Sequence, residues 1–489
     1  MNFTIPLFFF FFFFTFAVRW LLPALQVRLQ ISQTFLLAMS YIFYMACNPY
    51  LGFLIFFTTA MDFYISGLIA RHTGMVAKRY LILSLVTNLT ILAYFKYMNF
   101  FKEAFYSSLN FWGLSSVKFI PWDIVLPLGI SFYTFQSMSY TIDVYRRIIT
   151  PEKSFLSYAL YLSFFPQLVA GPIVPAKFLI PELQRSFLKK LDEIHLQEAL
   201  YYLLSGFIKK TILADRVAPI VNFVFEDPTQ LSSSHLWLGV FCFSIQIYCD
   251  FSGYTDIARG LALLLGVRLP ENFRMPYFAS SLSDFWRRWH ITLSTWLRDY
   301  LYIPLGGSRV NTAITYRNLI VTMLLGGIWH GASWNFLFWG GLHGLWLAVE
   351  RFVRDRYQAR TSDLSKWQVQ FPRFLQVAAA LHYRVFVFLL VSLLWVFFRS
   401  KEFAKTKALF TGLFWPQAGI TPFYHSQQVF LAISAFMIVS HCLGYYKEAS
   451  LKKMQVGLPG FWRLLAYSFC MVVCLLLSVD SQQFIYFVF

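Results

Sequence analysis

Apolar runs long enough to cross a bilayer recur from one end of this 489-residue chain to the other, with no long polar block between them. A spanning helix takes about 20 mostly apolar residues. Such runs lie near 3–18, 33–48, 51–70 and 80–97, in "IVLPLGISFYTFQSMSYTI", and near 232–268, 318–349, 376–398, 428–446 and 461–478. The pattern predicts an all-α, polytopic integral membrane protein with about 11 transmembrane helices. One domain over residues 1–489 accounts for it better than a soluble enzyme with an anchor. Composition agrees, with 58% hydrophobic, 20% aromatic and 13% charged residues, where a soluble domain is about half apolar and a quarter charged.

The first run, "MNFTIPLFFFFFFFTFAVRW", has no basic residue before it and no small-residue cleavage site after it. It reads as a retained spanning helix and not as a signal peptide. The segments "FFPQLVAGPIVP" and "IYCDFSGYTD" place Pro, Gly and Asp inside apolar runs. They predict broken or re-entrant helices lining a cavity, because freed backbone groups at membrane depth need cover. No internal repeat is visible, which counts against a transporter built from two related halves.

Lys plus Arg is 41 against 23 Asp plus Glu, a formal charge of +18. In a polytopic chain this excess points to basic cytoplasmic loops and anionic lipid, not to nucleic acid. The loops at 71–79, 146–153 and 351–373 are basic, so the positive-inside rule makes them cytoplasmic and the N-terminus extracytoplasmic. The six cysteines, Cys47, Cys242, Cys249, Cys442, Cys470 and Cys474, form no Cys-x-x-Cys pair. Neither a zinc site nor a disulfide framework is indicated, and they read as packing residues.

Polar residues inside apolar surroundings mark the candidate sites. Read as one helix, residues 283–309 put Trp286, Trp289, Leu293, Trp296 and Leu297 on one face and Arg287, Arg288, Ser294, Thr295 and Arg298 on the other. Ile291 is the exception, and His290 falls at the border. The basic face suits lipid phosphates at the membrane interface or a phosphate-bearing donor; spacing does not separate the two. Asp256 and Arg259, three residues apart, suit a structural ion pair. Asp250 has no obvious local partner, so a role in the cavity stays open.

His330 sits within "LLGGIWHGASWNFLFWGGLHGLW". It is either a core residue bonded to backbone or a group that works on a substrate. Gly326, Gly327 and Gly331 remove side chains beside it, which permits close helix packing or close approach of a substrate. His343, at roughly 220° around a continuous helix, would not share its face, so a metal pair is not expected. An imidazole in a low-dielectric cavity stays neutral and can accept a proton. It could then act as a general base toward a hydroxyl attacking a carbonyl. No Gly-x-Ser-x-Gly elbow offers the covalent alternative.

"FWRRWHITLSTWLRDYLYIPLGGSR" followed by "LLGGIWHGASWNFLFWGGLHG" resembles the membrane-bound O-acyltransferase (MBOAT) family. The likeness is greatest to its bacterial branch of alginate and cellulose O-acetylation and teichoic acid D-alanyl transfer. "ILAYFKYMNF", "LPLGISFYTFQSMSYTIDVYR", "FFPQLVAGPI", "GFIKKTILAD" and "DFSGYTDIARGLALLLG" resemble the same branch. The resemblance implies transmembrane, re-entrant and interfacial helices around a central funnel in the bacterial cytoplasmic membrane. It implies His330 as catalytic and His290 near the cytoplasmic mouth. Trp329, Gly331, Asp250, Arg287, Arg288 and Arg298 are the substrate-binding candidates. No bound cofactor is implied. The acyl group would come from a thioester on coenzyme A or an acyl carrier protein and reach an exopolysaccharide such as alginate or cellulose. Implied partners are membrane lipid, an extracytoplasmic SGNH-type acetyltransferase, and a polysaccharide synthase or export complex. The alternative is a transporter or channel of such a complex. A structural scaffold would tolerate loss of His330.

Overall fold

A computed structural model of the chain describes residues 3, 6–46, 48–112, 124, 126–193, 195–363, 373–415, 418–420, 434–435 and 484–485. Among these, regular structure is helical, apart from one isolated bridge between Leu231 and Ile420. The chain divides into two compact units, residues 1–207 with 254–270, and residues 208–253 with 271–489.

The first unit holds α1 (Pro6–Ala24), α2 (Leu29–Met45), α3 (Tyr50–Arg71), α4 (Gly74–Phe111), α5 (Ile130–Tyr145), α6 (Phe155–Ser163), α7 (Phe165–Leu168), α8 (Ala176–Ser186) and α9 (Leu196–Phe207). Helices α3, α4 and α5 pack on one another. Their shared interior is polar: the Asp62 carboxylate accepts from Ser84 Oγ at 2.6 Å, from Asn88 Nδ2 at 2.7 Å and from Ser137. A buried carboxylate is tolerated when donors of this kind surround it. The phenylalanine-rich start of α1 supplies an aromatic cluster in which Phe8, Phe11, Phe43 and Phe165 meet. The run "FFPQLVAGPIVP" breaks as expected: α6 ends at Ser163, α7 lasts one turn, and the irregular backbone after it is buried.

The second unit holds a π-helical turn (Ile208–Ala214), α10 (Asp215–Glu226), most of α11 (Ser233–Leu264), α12 (Leu282–Arg288), α13 (Ile291–Leu297), a second π-helical turn (Arg298–Tyr302), α14 (Thr312–His330), α15 (Trp334–Asp363), α16 (Arg373–Arg399) and α17 (Phe403–Phe414). The break expected in "IYCDFSGYTD" does not occur. Helix α11 runs through Asp250 and Gly253 for 32 residues. Lone glycines are tolerated in a helix at about 1 kcal/mol, and Asp250 is neutralised by a partner described below.

Five helices among the described residues are long and apolar enough to cross a membrane: Leu7–Ala24, Tyr50–Arg71, Gly74–Tyr106, Ser233–Leu264 and Ala378–Arg399. The chain is a multi-pass membrane protein. The run 318–349, read as one span, is instead two helices that part at Gly331, where Ser333 Oγ takes the Asn335 N–H at 3.2 Å. The expected spans 428–446 and 461–478, apart from residues 434–435, lie outside the described residues, as do Cys47, Cys442, Cys470, Cys474 and part of the 351–373 loop. Cys242 and Cys249 are buried free thiols.

Candidate functional site

Helices α14 and α15 fold back on each other along a seam of glycines. A Cβ on Gly327 would collide with the Phe336 carbonyl oxygen, one on Gly340 with the Met323 oxygen, and one on Gly344 would come within 2.7 Å of Ile320 Cα. Small residues thus bring two backbones into contact, the ordinary device for helix association in lipid. Of the two uses open to these glycines, Gly327 serves packing. Gly331 does likewise, since a Cβ there would strike the Phe336 ring. Phe336 packs against the backbone at Gly331, so close packing is what that glycine permits here.

The seam ends at His330, the last residue of α14 and 5% exposed. Its ring centroid stands 4.7 Å from Trp329, 5.1 Å from Trp339 and 5.0 Å from Phe398. Asn335 holds this corner: its Nδ2 donates to the Ser400 carbonyl at 2.8 Å, and its Oδ1 accepts from Thr406 at 3.1 Å. The start of α15, the end of α16 and α17 are thereby tied together. His343 also packs on Trp339, at 4.8 Å. The reading of one continuous helix had separated the two histidines; the reversal at Gly331 puts both rings against one tryptophan.

The segment read as a single interfacial helix is two short ones with a kink between. His290 has φ 42° and ψ 55°, a left-handed conformation uncommon for histidine. Asn272 holds it there, its carbonyl accepting from Ile291 N at 2.9 Å and its Oδ1 from Thr292 N at 3.1 Å and Thr292 Oγ1 at 2.9 Å. The same Oδ1 lies 3.2 Å from His290 Nδ1. Because Thr292 N–H can only donate, that atom is an oxygen, so Nδ1 donates to it and Nε2 carries the ring's lone pair. Burial pushes the His290 imidazole down to about 3, which keeps it neutral. His290 is fully buried and not at a border between faces. The two faces themselves survive the kink: Trp289, Leu293, Trp296 and Leu297 are buried, while Arg287 and Arg298 are exposed. Arg288 is engaged by Asp284 at 2.9 Å and Arg298 by Asp299 at 2.7 Å. Glu350 of α15 accepts the Leu282 and Ser283 N–H groups at 2.6 and 3.1 Å, fixing the start of α12. The His290 and His330 neighbourhoods meet through aromatic rings, Trp289 lying 4.9 Å from Trp395 and Trp395 5.3 Å from Phe398.

Asp250 has the partner that local spacing did not reveal. Lys210 Nζ lies 2.7 Å from Asp250 and 2.9 Å from Asp215, and all three side chains are buried. Asp250 also accepts the Ile485 N–H at 2.7 Å. Its first role is therefore an ion triad, not an unpaired group in a cavity. The lysine inside "GFIKKTILAD" was the available signal, since a lysine in an apolar run needs an acid. Asp256 pairs with Arg259 at 3.9 Å, as its spacing predicted.

Known proteins resemble the chain as follows. A family model described as MBOAT, membrane-bound O-acyltransferase family, matches residues 78–393. A protein named "Probable alginate O-acetylase AlgI" in Azotobacter vinelandii is 41% identical over 385 residues, 78% of this chain and 72% of the relative. The "Peptidoglycan O-acetyltransferase" of Helicobacter pylori is 37% identical over 358 residues, 68% of this chain and 64% of the relative. The "Teichoic acid D-alanyltransferase" of Bacillus subtilis is 24% identical over 241 residues, 47% of this chain and 60% of the relative.

Proposed function

The chain belongs to the membrane-bound O-acyltransferase family, and from that premise we propose that it transfers acetyl groups from a cytoplasmic thioester for O-acetylation of an alginate-type exopolysaccharide. It is an O-acyltransferase of the membrane, similar over most of its length to proteins named for O-acetylation of alginate and peptidoglycan. The donor we propose is acetyl-coenzyme A or an acetylated carrier protein. An SGNH-type acetyltransferase outside the membrane and a polysaccharide synthase complete the route. His330 is the general base and His290 the second catalytic histidine.

The observation that carries this reading is the burial of the His330 ring among Trp329, Trp339 and Phe398 at the end of α14. A neutral imidazole carries a lone pair that can accept a proton. It takes the proton of the attacking hydroxyl as the C–O bond forms, and gives that proton to the departing sulfur as the C–S bond breaks. No covalent enzyme intermediate is needed.

His330→Gln tests it, because an amide keeps hydrogen bonding but accepts no proton at neutral pH. At equal membrane abundance, ester content of the secreted polymer should fall by about 10² to 10⁴ in rate, the usual worth of a general base. Near-normal acetylation in His330→Gln would leave His330 a core residue. A transporter, the competing reading, would yield no acylated product from either protein.

A further inference from the structure

Three buried ring nitrogens gathered at Trp339, whose ring meets His330, have no hydrogen-bond partner among the described residues: Trp339 Nε1, Trp395 Nε1 and His343 Nε2. Their residues are 1%, 1% and 0% exposed. The tryptophan nitrogens are donors only. For His343 the proton's place follows from its other nitrogen. Trp286 Nε1 donates to His343 Nδ1 at 3.4 Å, so Nδ1 holds a lone pair, and in the neutral ring the proton sits on Nε2. All three nitrogens are therefore N–H donors.

The rings form one cluster, Trp339 lying 4.8 Å from His343, 5.9 Å from Trp395 and 5.1 Å from His330. Native proteins seldom keep a buried donor without an acceptor, and each instance calls for a group that supplies one. The rings packed around them are aromatic, and no acceptor among the described residues reaches these nitrogens. A ligand that offers lone pairs and no proton would satisfy the cluster, and the acyl carbonyl of a thioester is such a group.

We propose that Trp339, Trp395 and His343 form the binding site for the acyl carbonyl oxygen, with the His343 Nε2–H as its principal donor. The inference rests on the O-acyl-transfer reading above. The attacking hydroxyl oxygen bonds to the carbonyl carbon while its proton passes to His330. The carbonyl electron pair moves onto the oxygen that faces the N–H groups. As that pair returns, the C–S bond breaks and sulfur leaves with the proton from His330. Donors fixed where the negative charge develops are the arrangement that lowers such a barrier.

The test uses membranes from cells making the full chain and its polymer, with acetyl-coenzyme A and acetyl-loaded acyl carrier protein as probes. Initial rates of polymer ester formation are measured per mole of chain. His343→Phe should lower kcat by about 10² to 10³-fold, the usual effect of losing one such donor, with KM for the probe little changed. His343→Gln retains an N–H and should recover a large part of that loss. Trp339→Phe and Trp395→Phe, which remove the N–H but keep a ring, should each lower kcat. A wild-type kcat in His343→Phe at normal abundance overturns the site. Equal losses in His343→Gln and His343→Phe overturn it too, since they would mark the ring as packing alone. If the unaltered chain transfers acetyl from neither probe, the O-acyl-transfer reading itself falls and takes the site with it.

Discussion

Under the proposed function, Arg287 is the α12 cation that would meet a phosphate-bearing donor. It is exposed and makes no ion pair among the described residues, whereas Arg288 and Arg298 are engaged by Asp284 and Asp299. Arg287→Gln should therefore weaken the apparent affinity for a phosphate-bearing donor by about 1–3 kcal/mol, the range for a charge-assisted hydrogen bond. Measured rates against donor concentration would show it as a rise in KM, and an unchanged KM would leave Arg287 with lipid alone. Arg288→Gln should act on stability instead, because Asp284 loses its ion-pair partner. Asn272 is the second residue whose loss is diagnostic. Its side-chain Oδ1 accepts from His290 Nδ1 and from Thr292 N and Oγ1 at once, so Asn272→Ala, which keeps only the backbone bond from Ile291, should loosen the strained turn and unfix the His290 proton. The expected outcome is a kcat loss larger than the loss of folded protein in membranes.

Among the elements, the α14–α15 hairpin and the α12 start are the parts whose integrity the chemistry needs. Gly340→Leu should separate the seam and reduce both abundance and activity, since overpacking typically costs about 1–3 kcal/mol. Glu350→Gln removes a charge from the N-terminus of α12, where a carboxylate contributes about 0.3–1 kcal/mol. Heating of detergent-solubilised protein should register that change as a lower transition temperature. These elements also show what the sequence discloses and what it hides. The two faces of residues 283–309 were legible because side-chain hydrophobicity follows helical period. The kink at His290 was not, because it depends on Asn272, outside that segment. The paired histidines were hidden by the turn at Gly331, which no periodicity records when both arms are apolar. Lys210, Asp215 and Asp250 likewise come together only through folding, 40 residues separating the lysine from the second acid.

At the scale of the molecule, the basic loops at 71–79 and 146–153 are joined. Arg147 donates to the carbonyls of Ala70 and His72 at 3.0 and 2.6 Å, so the two loops occupy one end of the first unit, as alternating topology requires. A cysteine at position 78, on a cysteine-free chain, should resist impermeant reagents applied outside intact cells and react once the membrane is opened. Labelling from outside would reverse the proposed orientation. The ion triad carries a consequence of a different kind, for the order in which the chain is made. An aspartate at the centre of a spanning helix opposes entry into the bilayer by about 2.5–3.5 kcal/mol. Synthesis runs from the N-terminus, so Lys210 has left the ribosome before Asp250 arrives. The ammonium group waits for its acid, and α11 can enter the lipid already neutralised. A fusion reporter placed after α11 should show poorer membrane integration when Lys210→Met removes that waiting charge, even though the spanning segment itself is unchanged.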